Sequence, residues 1–169
     1  MAYVVQALRG GRRAAPAPSS LALALLQPAL ARIVGTIARK HPALFERLGA
    51  HRAARFVIDP VDLPFGLYLE PNPHKPLLRA FSRRETPAHD ARIAGRFARL
   101  MRMIDSDQDG DAMFFSRDLQ VSGDTEAVVS LRNALDNLDT PLSEAAASVY
   151  GPPGRAALAV ARRVLQRRP

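Results

Sequence analysis

Apolar and polar positions alternate and then change period between Asp111 and Asn137, in the run DAMFFSRDLQVSGDTEAVVSLRNALDN. Phe115, Leu119 and Val121 fall on one face of a period-two pattern, and Ser116, Asp118, Gln120 and Ser122 on the other, as in a strand covered on one side. Arg117 is the single polar residue on the apolar face. Gly123 ends the strand, Asp124 is placed to cap a following helix, and Glu126 puts negative charge in its first turn. That helix carries Val128, Leu131, Leu135 and Leu138 along one stripe.

Upstream, Phe56 and Ile58 alternate, a turn follows through Asp59-Pro60 and Asp62 to Pro64, and Phe65, Leu67 and Leu69 alternate again, which predicts a hairpin. A proline-punctuated loop through Pro71, Pro73 and Pro76 leads to a third strand over Leu77 to Phe81, and Ala91 to Gly95 reads as a fourth. Phe97, Leu100, Met101 and Ile104 then stand at i, i+3, i+4 and i+7 of a helix whose other face holds Arg96, Arg99 and Arg102. Near the start, Pro28 suits a first helical turn, and Leu30, Ile33, Val34 and Ile37 form a stripe to about Lys40. His41-Pro42 interrupts it before Leu44, Phe45 and Leu48 continue to about His51. At the other end, Thr140 caps and Pro141 opens a helix to about Tyr150, the GPPG of Gly151 to Gly154 ends it, and Arg155 to Arg168 forms a last basic helix. Met1 to Ser20, with its GG, RR and APAPSS, reads as a flexible leader.

Charge sharpens this picture. The chain has 169 residues and a net charge of +8, but the excess sits at the ends. Met1 to Phe45 holds six basic residues and no acid, and Ala145 to Pro169 holds five arginines and no acid. The middle, Glu46 to Glu144, has 13 basic residues against all 16 acids. Both cationic ends are also apolar, and aromatics do not interleave with the cations, which argues against nucleic acid as the partner. In the last helix Ala157, Leu158, Ala161, Val164 and Leu165 share one arc, while Arg155, Arg162, Arg163 and Arg167 share most of the other. Such a helix either lies at an anionic membrane surface or docks on its own domain with solvated arginines. The run Leu21 to Leu26, though preceded by Arg12 and Arg13, is shorter than a usual signal-peptide core and argues against export.

Catalytic signatures are missing. There is no cysteine, so thiolate nucleophiles, thiolate metal sites and disulfides are excluded. The four histidines, His41, His51, His74 and His89, share no ligand spacing. Asp105 to Asp111 resembles the start of a calcium-binding loop, but the twelfth position, which needs a bidentate glutamate, is Ser116. A solvated acidic turn is the simpler reading. Neither a nucleophile elbow nor a glycine-rich phosphate loop is present.

The segment Asp109 to Glu126, DGDAMFFSRDLQVSGDTE, preceded by DARIAG from Asp90 to Gly95 and the helix from Phe97, resembles the lipid-binding domain of the sterol carrier protein family. Within that superfamily it looks most like the accessory factors of bacterial ubiquinone biosynthesis, over roughly Ile33 to Asn137. The resemblance implies an α+β fold, a five-stranded mostly antiparallel sheet covered by helices around an apolar lipid cavity. It sets a lipid-binding domain over 21–139, with C-terminal helices over 140–169. It implies a non-catalytic protein without cofactor or metal, presenting polyprenylated quinone intermediates to partner hydroxylases in the oxygen-independent route. A cytoplasmic protein held peripherally at the inner membrane is the matching location, with Arg155, Arg162, Arg163 and Arg167 as membrane contacts. Candidate cavity residues are Phe65, Leu67, Phe97, Leu100, Met101, Ile104, Phe114, Phe115, Leu119, Leu131 and Leu135, each of which is individually as well suited to plain core packing. The alternative is a general lipid-binding or scaffolding module that assembles enzymes without carrying substrate, and that module needs no hollow interior.

Overall fold

The computed structural model describes residues 20–105, 119–136, 138 and 140–166. In chain order the elements are α1 (Ser20–Lys40), α2 (Pro42–Arg47), a 3-10 turn (Gly49–Ala53), β1 (Phe56–Pro60), β2 (Phe65–Glu70), β3 (Leu77–Ser82), β4 (Ala91–Gly95), α3 (Phe97–Ile104), β5 (Leu119–Gly123), α4 (Thr125–Asp136), α5 (Leu142–Ser148) and α6 (Gly151–Gln166). The strands form one sheet in the order β3-β2-β1-β4-β5. All pairs are antiparallel except β1 with β4, so the mostly antiparallel α+β fold read from the sequence is the fold observed. The expected leader over 1–20, apart from Ser20, which begins α1, falls outside the described residues, as do the start of the fifth strand and most of the acidic turn.

Register explains how one sheet face becomes apolar. Ala80, Leu67, Ile58, Ile93 and Val121 stand in one row across all five strands, and Leu78, Leu69, Phe56 and Ala91 in the next. Over β1, β4 and β5 this face is densely packed: Phe56, Ala91, Ile93 and Leu119 meet Ala127, Val128, Leu131 and Ala134 of α4, all nearly without exposure. The opposite face is a smaller cluster of Val57, Tyr68 and Phe81. There Arg79 stacks on the Tyr68 ring at 4.8 Å, and Asp59 accepts from both Arg83 and Arg92. Burial and a hydrogen bond to Glu70 push the Tyr68 phenol up to about 12.

Several joints fix the elements. Arg55 grips Asp90 with two side-chain bonds of 3.0 and 2.7 Å and its backbone N–H at 2.9 Å, aligning the starts of the parallel pair β1 and β4. Asp124 accepts from the Ala127 N–H at 2.9 Å, the cap the sequence promised. Two other caps come from distant segments. Asp62 in the β1–β2 turn accepts from the Phe97 N–H at 2.7 Å, and Asp105 accepts from the Ser143 N–H at 2.9 Å and its hydroxyl at 2.6 Å. Asp105 thus orients α5 rather than lying idle in a solvated turn.

Two helix boundaries differ from the sequence reading. Pro28 does not open α1 but lies inside it, where the apolar stripe extends back to Leu26 and the helix is fastened at the neighbouring residue. The anchor is Gln27, whose amide donates to the Ala80 carbonyl at 2.7 Å and accepts from the Ala80 N–H at 3.3 Å. That satisfies the outward backbone groups of edge strand β3 at one residue and offsets part of the hydrogen bond lost to the proline. Likewise GPPG does not merely end α5; it is the first turn of α6, since Gly151 takes φ +62 and prolines fit where no donor is needed.

Gly123 adopts φ +83, and a Cβ there would lie 2.2 Å from the Asp90 carbonyl oxygen. Gly123→Ala is expected to destabilise the protein by about 3 kcal/mol in urea denaturation, whereas a loss below about 0.5 kcal/mol would show that this joint is slack. The Arg55 guanidinium and backbone N–H hold the Asp90 carboxyl down from 3.8 to about 2. A depressed carboxylate stabilises fully above its unfolded pKa and loses that contribution as pH falls through the folded one. Asp90→Asn should therefore lower the thermal midpoint by a few degrees at neutral pH, with the difference from wild type shrinking as the pH drops below 3.8 toward 2; a gap independent of pH would contradict the pairing.

Candidate ligand cavity

The remainder of the apolar sheet face is not packed. Over β1, β2 and β3 lies an apolar hollow of about 400 Å³, partly open to the surface. Its floor is Ile58, Phe65, Leu67, Leu69 and Leu78; α1 forms the roof with Leu26, Leu30, Ile33, Val34 and Ile37. Leu44 and Phe45 of α2, Phe97, Met101 and Ile104 of α3, and Leu131 and Leu135 of α4 close the sides. α5 completes the wall with Leu142, Ser143 and Ala146. No titratable side chain is among these lining residues, and the Ser143 hydroxyl is engaged with Asp105. The volume falls in the range of small-molecule sites, about 300 to 1,000 Å³.

The spacing within each element sorts floor from core. On α3, Phe97, Met101 and Ile104 face the hollow at i, i+4 and i+7, while Leu100 and Met103 turn into the packed cluster. Leu100 and Leu119 sit in the packed cluster under α4 and are not among the residues lining the hollow. Phe65, Leu67, Phe97, Met101, Ile104, Leu131 and Leu135 do line it. Phe114 and Phe115 lie outside the described residues. The α1 stripe was visible in the sequence as helical periodicity, but nothing in it marked a roof over a void. Leu142, Ser143 and Ala146 carry no signal of their own and enter only through the Asp105 cap.

The cationic ends behave differently from one another. Arg162 is committed: it reaches Glu144 at 3.1 Å, the Ser143 hydroxyl at 3.1 Å and Asp105 at 3.7 Å, docking α6 on α5. Arg155 and Arg163 are exposed. Arg167 lies outside the described residues. Tyr150 ties the end of α5 to α1, donating to the Ala29 carbonyl at 3.2 Å beneath the Arg32 guanidinium. No described helix is long and apolar enough to cross a membrane. Among the described residues no cluster of histidines and acids could hold a metal ion.

The SCP-2 sterol transfer family matches residues 33–136, more than half of the chain. The chain belongs to that family. Among solved structures, the UbiJ-SCP2 ubiquinone synthesis protein superposes with a TM-score of 0.51 at 18% identity, over 70% of this chain and 93% of that one. Sterol Carrier Protein 2 from Yarrowia lipolytica, in its apo form, gives a TM-score of 0.44 at 10% identity, over 71% and 94%. Comparison with curated proteins gives no match. The likeness to the ubiquinone synthesis protein is one of fold. Against the family segment, Leu26 and Leu30 on one side and Leu142, Ser143 and Ala146 on the other lie beyond its ends, so flanking helices finish a cavity founded on the SCP-2 sheet.

A leucine that already faces a void loses fewer contacts on truncation than one packed on every side. Leu67→Ala is expected to cost about 1–2 kcal/mol and Leu100→Ala about 3–5 kcal/mol in urea denaturation. Equal, large losses at both positions would mean that side chains fill the space beside Leu67.

Proposed function

We propose that this protein is a non-catalytic carrier that holds the isoprenoid tail of a polyprenylated quinone intermediate in its cavity and presents the ring to biosynthetic enzymes. The observation that carries this reading is the 400 Å³ hollow with its apolar lining. Each methylene taken from water is worth about 0.8 kcal/mol, so a tail of dozens of carbons does not leave a membrane for a soluble enzyme unaided. A cavity of this size covers part of such a tail and removes part of that cost. Membership of a sterol transfer family supports lipid as the ligand class, and a ubiquinone synthesis protein of the same fold supports a quinone. Together with the sequence resemblance to the accessory factor UbiT, this favours a role in the oxygen-independent route, with hydroxylases as the receiving partners.

The tail would lie between the α1 stripe and Phe65, Leu67, Phe97, Met101, Ile104, Leu131 and Leu135. Exposed cations of α1, Arg32 and Arg39, would help keep the carrier at an anionic bilayer, where each nearby Lys or Arg contributes about 1 kcal/mol. A scaffolding module that only assembles enzymes would have no use for the hollow, which is why the carrier reading is preferred. Native mass spectrometry and solvent extraction of the full-length protein purified without detergent test it. A bound quinone intermediate or other isoprenoid lipid is expected, and protein that is empty in repeated preparations from quinone-producing cells would contradict it.

A further inference from the structure

Behind the apolar cavity lies a second hollow of opposite character. It is an open cleft of about 770 Å³ between the end of α1, the outer face of α5, and α6. Lys40, Arg155, Arg162 and Arg163 line it against one acid, Glu144. Arg162 neutralises that acid at 3.1 Å. Lys40, Arg155 and Arg163 are exposed and have no ion-pair partner among the described residues. The cleft therefore carries unbalanced positive charge on flexible side chains at a partly sheltered surface.

Its position is what gives the charge a use. The cavity and the cleft share two walls. On α5, Ser143 and Ala146 face the cavity, while Glu144, Ala147 and Ser148 face the cleft. At the α1–α2 corner, Ile37 and Leu44 face the cavity, while Lys40 and His41 face the cleft. The two hollows thus stand back to back across the seam between that corner and a helix of seven residues, Leu142–Ser148. An amphiphile threaded through this seam would keep its tail in apolar surroundings and leave its head among cations. A charged head could not follow the tail inward, because the one polar side chain among the described lining residues, Ser143, is already engaged with Asp105.

We propose that this cleft is a head-group subsite for an acidic amphiphile, with Lys40, Arg155 and Arg163 pairing a carboxylate or phosphate whose hydrocarbon tail occupies the cavity. The inference rests on the carrier reading and adds the charge of the cargo. Arg162 holds α6 in place and is not counted among the ligand contacts. The cleft serves the cargo's own head rather than the headgroups of a bilayer, because its cations converge on a recess backed by the cavity and not on a plane.

The test compares oleate, oleyl phosphate and oleyl alcohol, matched in tail, for binding to the detergent-free full-length protein and to the triple variant Lys40→Gln, Arg155→Gln, Arg163→Gln. All three positions are exposed, and an unchanged thermal midpoint confirms the fold of the variant. Wild type is expected to bind the two anions about tenfold more tightly than the alcohol, as three partly exposed ion pairs would give. The variant should lose that preference and keep alcohol binding. Anion preference retained in the variant, or absent in wild type that binds the alcohol, overturns the subsite and leaves the carrier reading standing. Failure of wild type to bind any of the three overturns both. Co-sedimentation with vesicles of phosphatidylcholine and phosphatidylglycerol separates the two sources of oxyanion: a variant that loses vesicle binding but keeps its preference for oleate would assign these cations to the bilayer and overturn the subsite.

Discussion

A single placement governs the rest of the structure: α1 is held along the outer edge of β3 instead of being pressed onto the sheet. Gln27 makes this possible by meeting both backbone groups of Ala80 with its amide, so the helix is fastened at the edge. Unmet edge groups would otherwise invite pairing with another strand. With its stripe leaning inward from the edge, α1 roofs β2 and β3 without filling the space beneath, while α4 packs down on β1, β4 and β5. The same sheet face is therefore solid on one half and hollow on the other. Stability can come from the solid half, where Phe56, Ile93, Leu100 and Val128 are almost wholly enclosed.

The walls of the hollow half are set by long-range polar joints rather than by packing alone. Asp62 caps α3 from the first hairpin turn, and Asp105 caps α5 from the end of α3. Each joint orients an apolar face, Phe97, Met101 and Ile104 in one case, Leu142 and Ala146 in the other, toward the same void. Arg162 extends the second joint to α6 through Ser143, Glu144 and Asp105. In this way the C-terminal helices, which fall outside the SCP-2 family segment, become part of the container.

Much of this was legible in the residues. Alternation at Phe56 and Ile58, at Phe65, Leu67 and Leu69, and at Leu119 and Val121 located strands, and Gly123-Asp124 marked the strand-to-helix joint to the residue. Strand order and the packed or hollow state of the interior were not legible, since an apolar stripe reads the same whether it meets a side chain or a void. Leu100 and Met101 are neighbours with the same periodic standing, yet one is core and the other cavity wall. Pro28 misled because propensity places proline at a helix start, and only the tertiary clasp through Gln27 shows why it is tolerated inside. Asp105 looked like part of an isolated acidic turn because its partner, Ser143, is distant in sequence.

Charge and shape then tell a consistent story about cargo. The described residues that line the apolar hollow carry no titratable side chain, and Lys40, Arg155 and Arg163, exposed and without an ion-pair partner among the described residues, border the neighbouring cleft. A container with an oily interior and a basic rim suits a molecule with a long tail and a polar end. The most direct measurement is methyl-selective NMR of the full-length protein with a short isoprenoid such as farnesol. Intermolecular contacts are predicted from the chain to methyls of both roof and floor, Leu30 and Ile33 together with Ile58 and Leu67. Contacts confined to the exposed Leu21, Leu25 and Val160, with none inside, would contradict the existence of a working cavity.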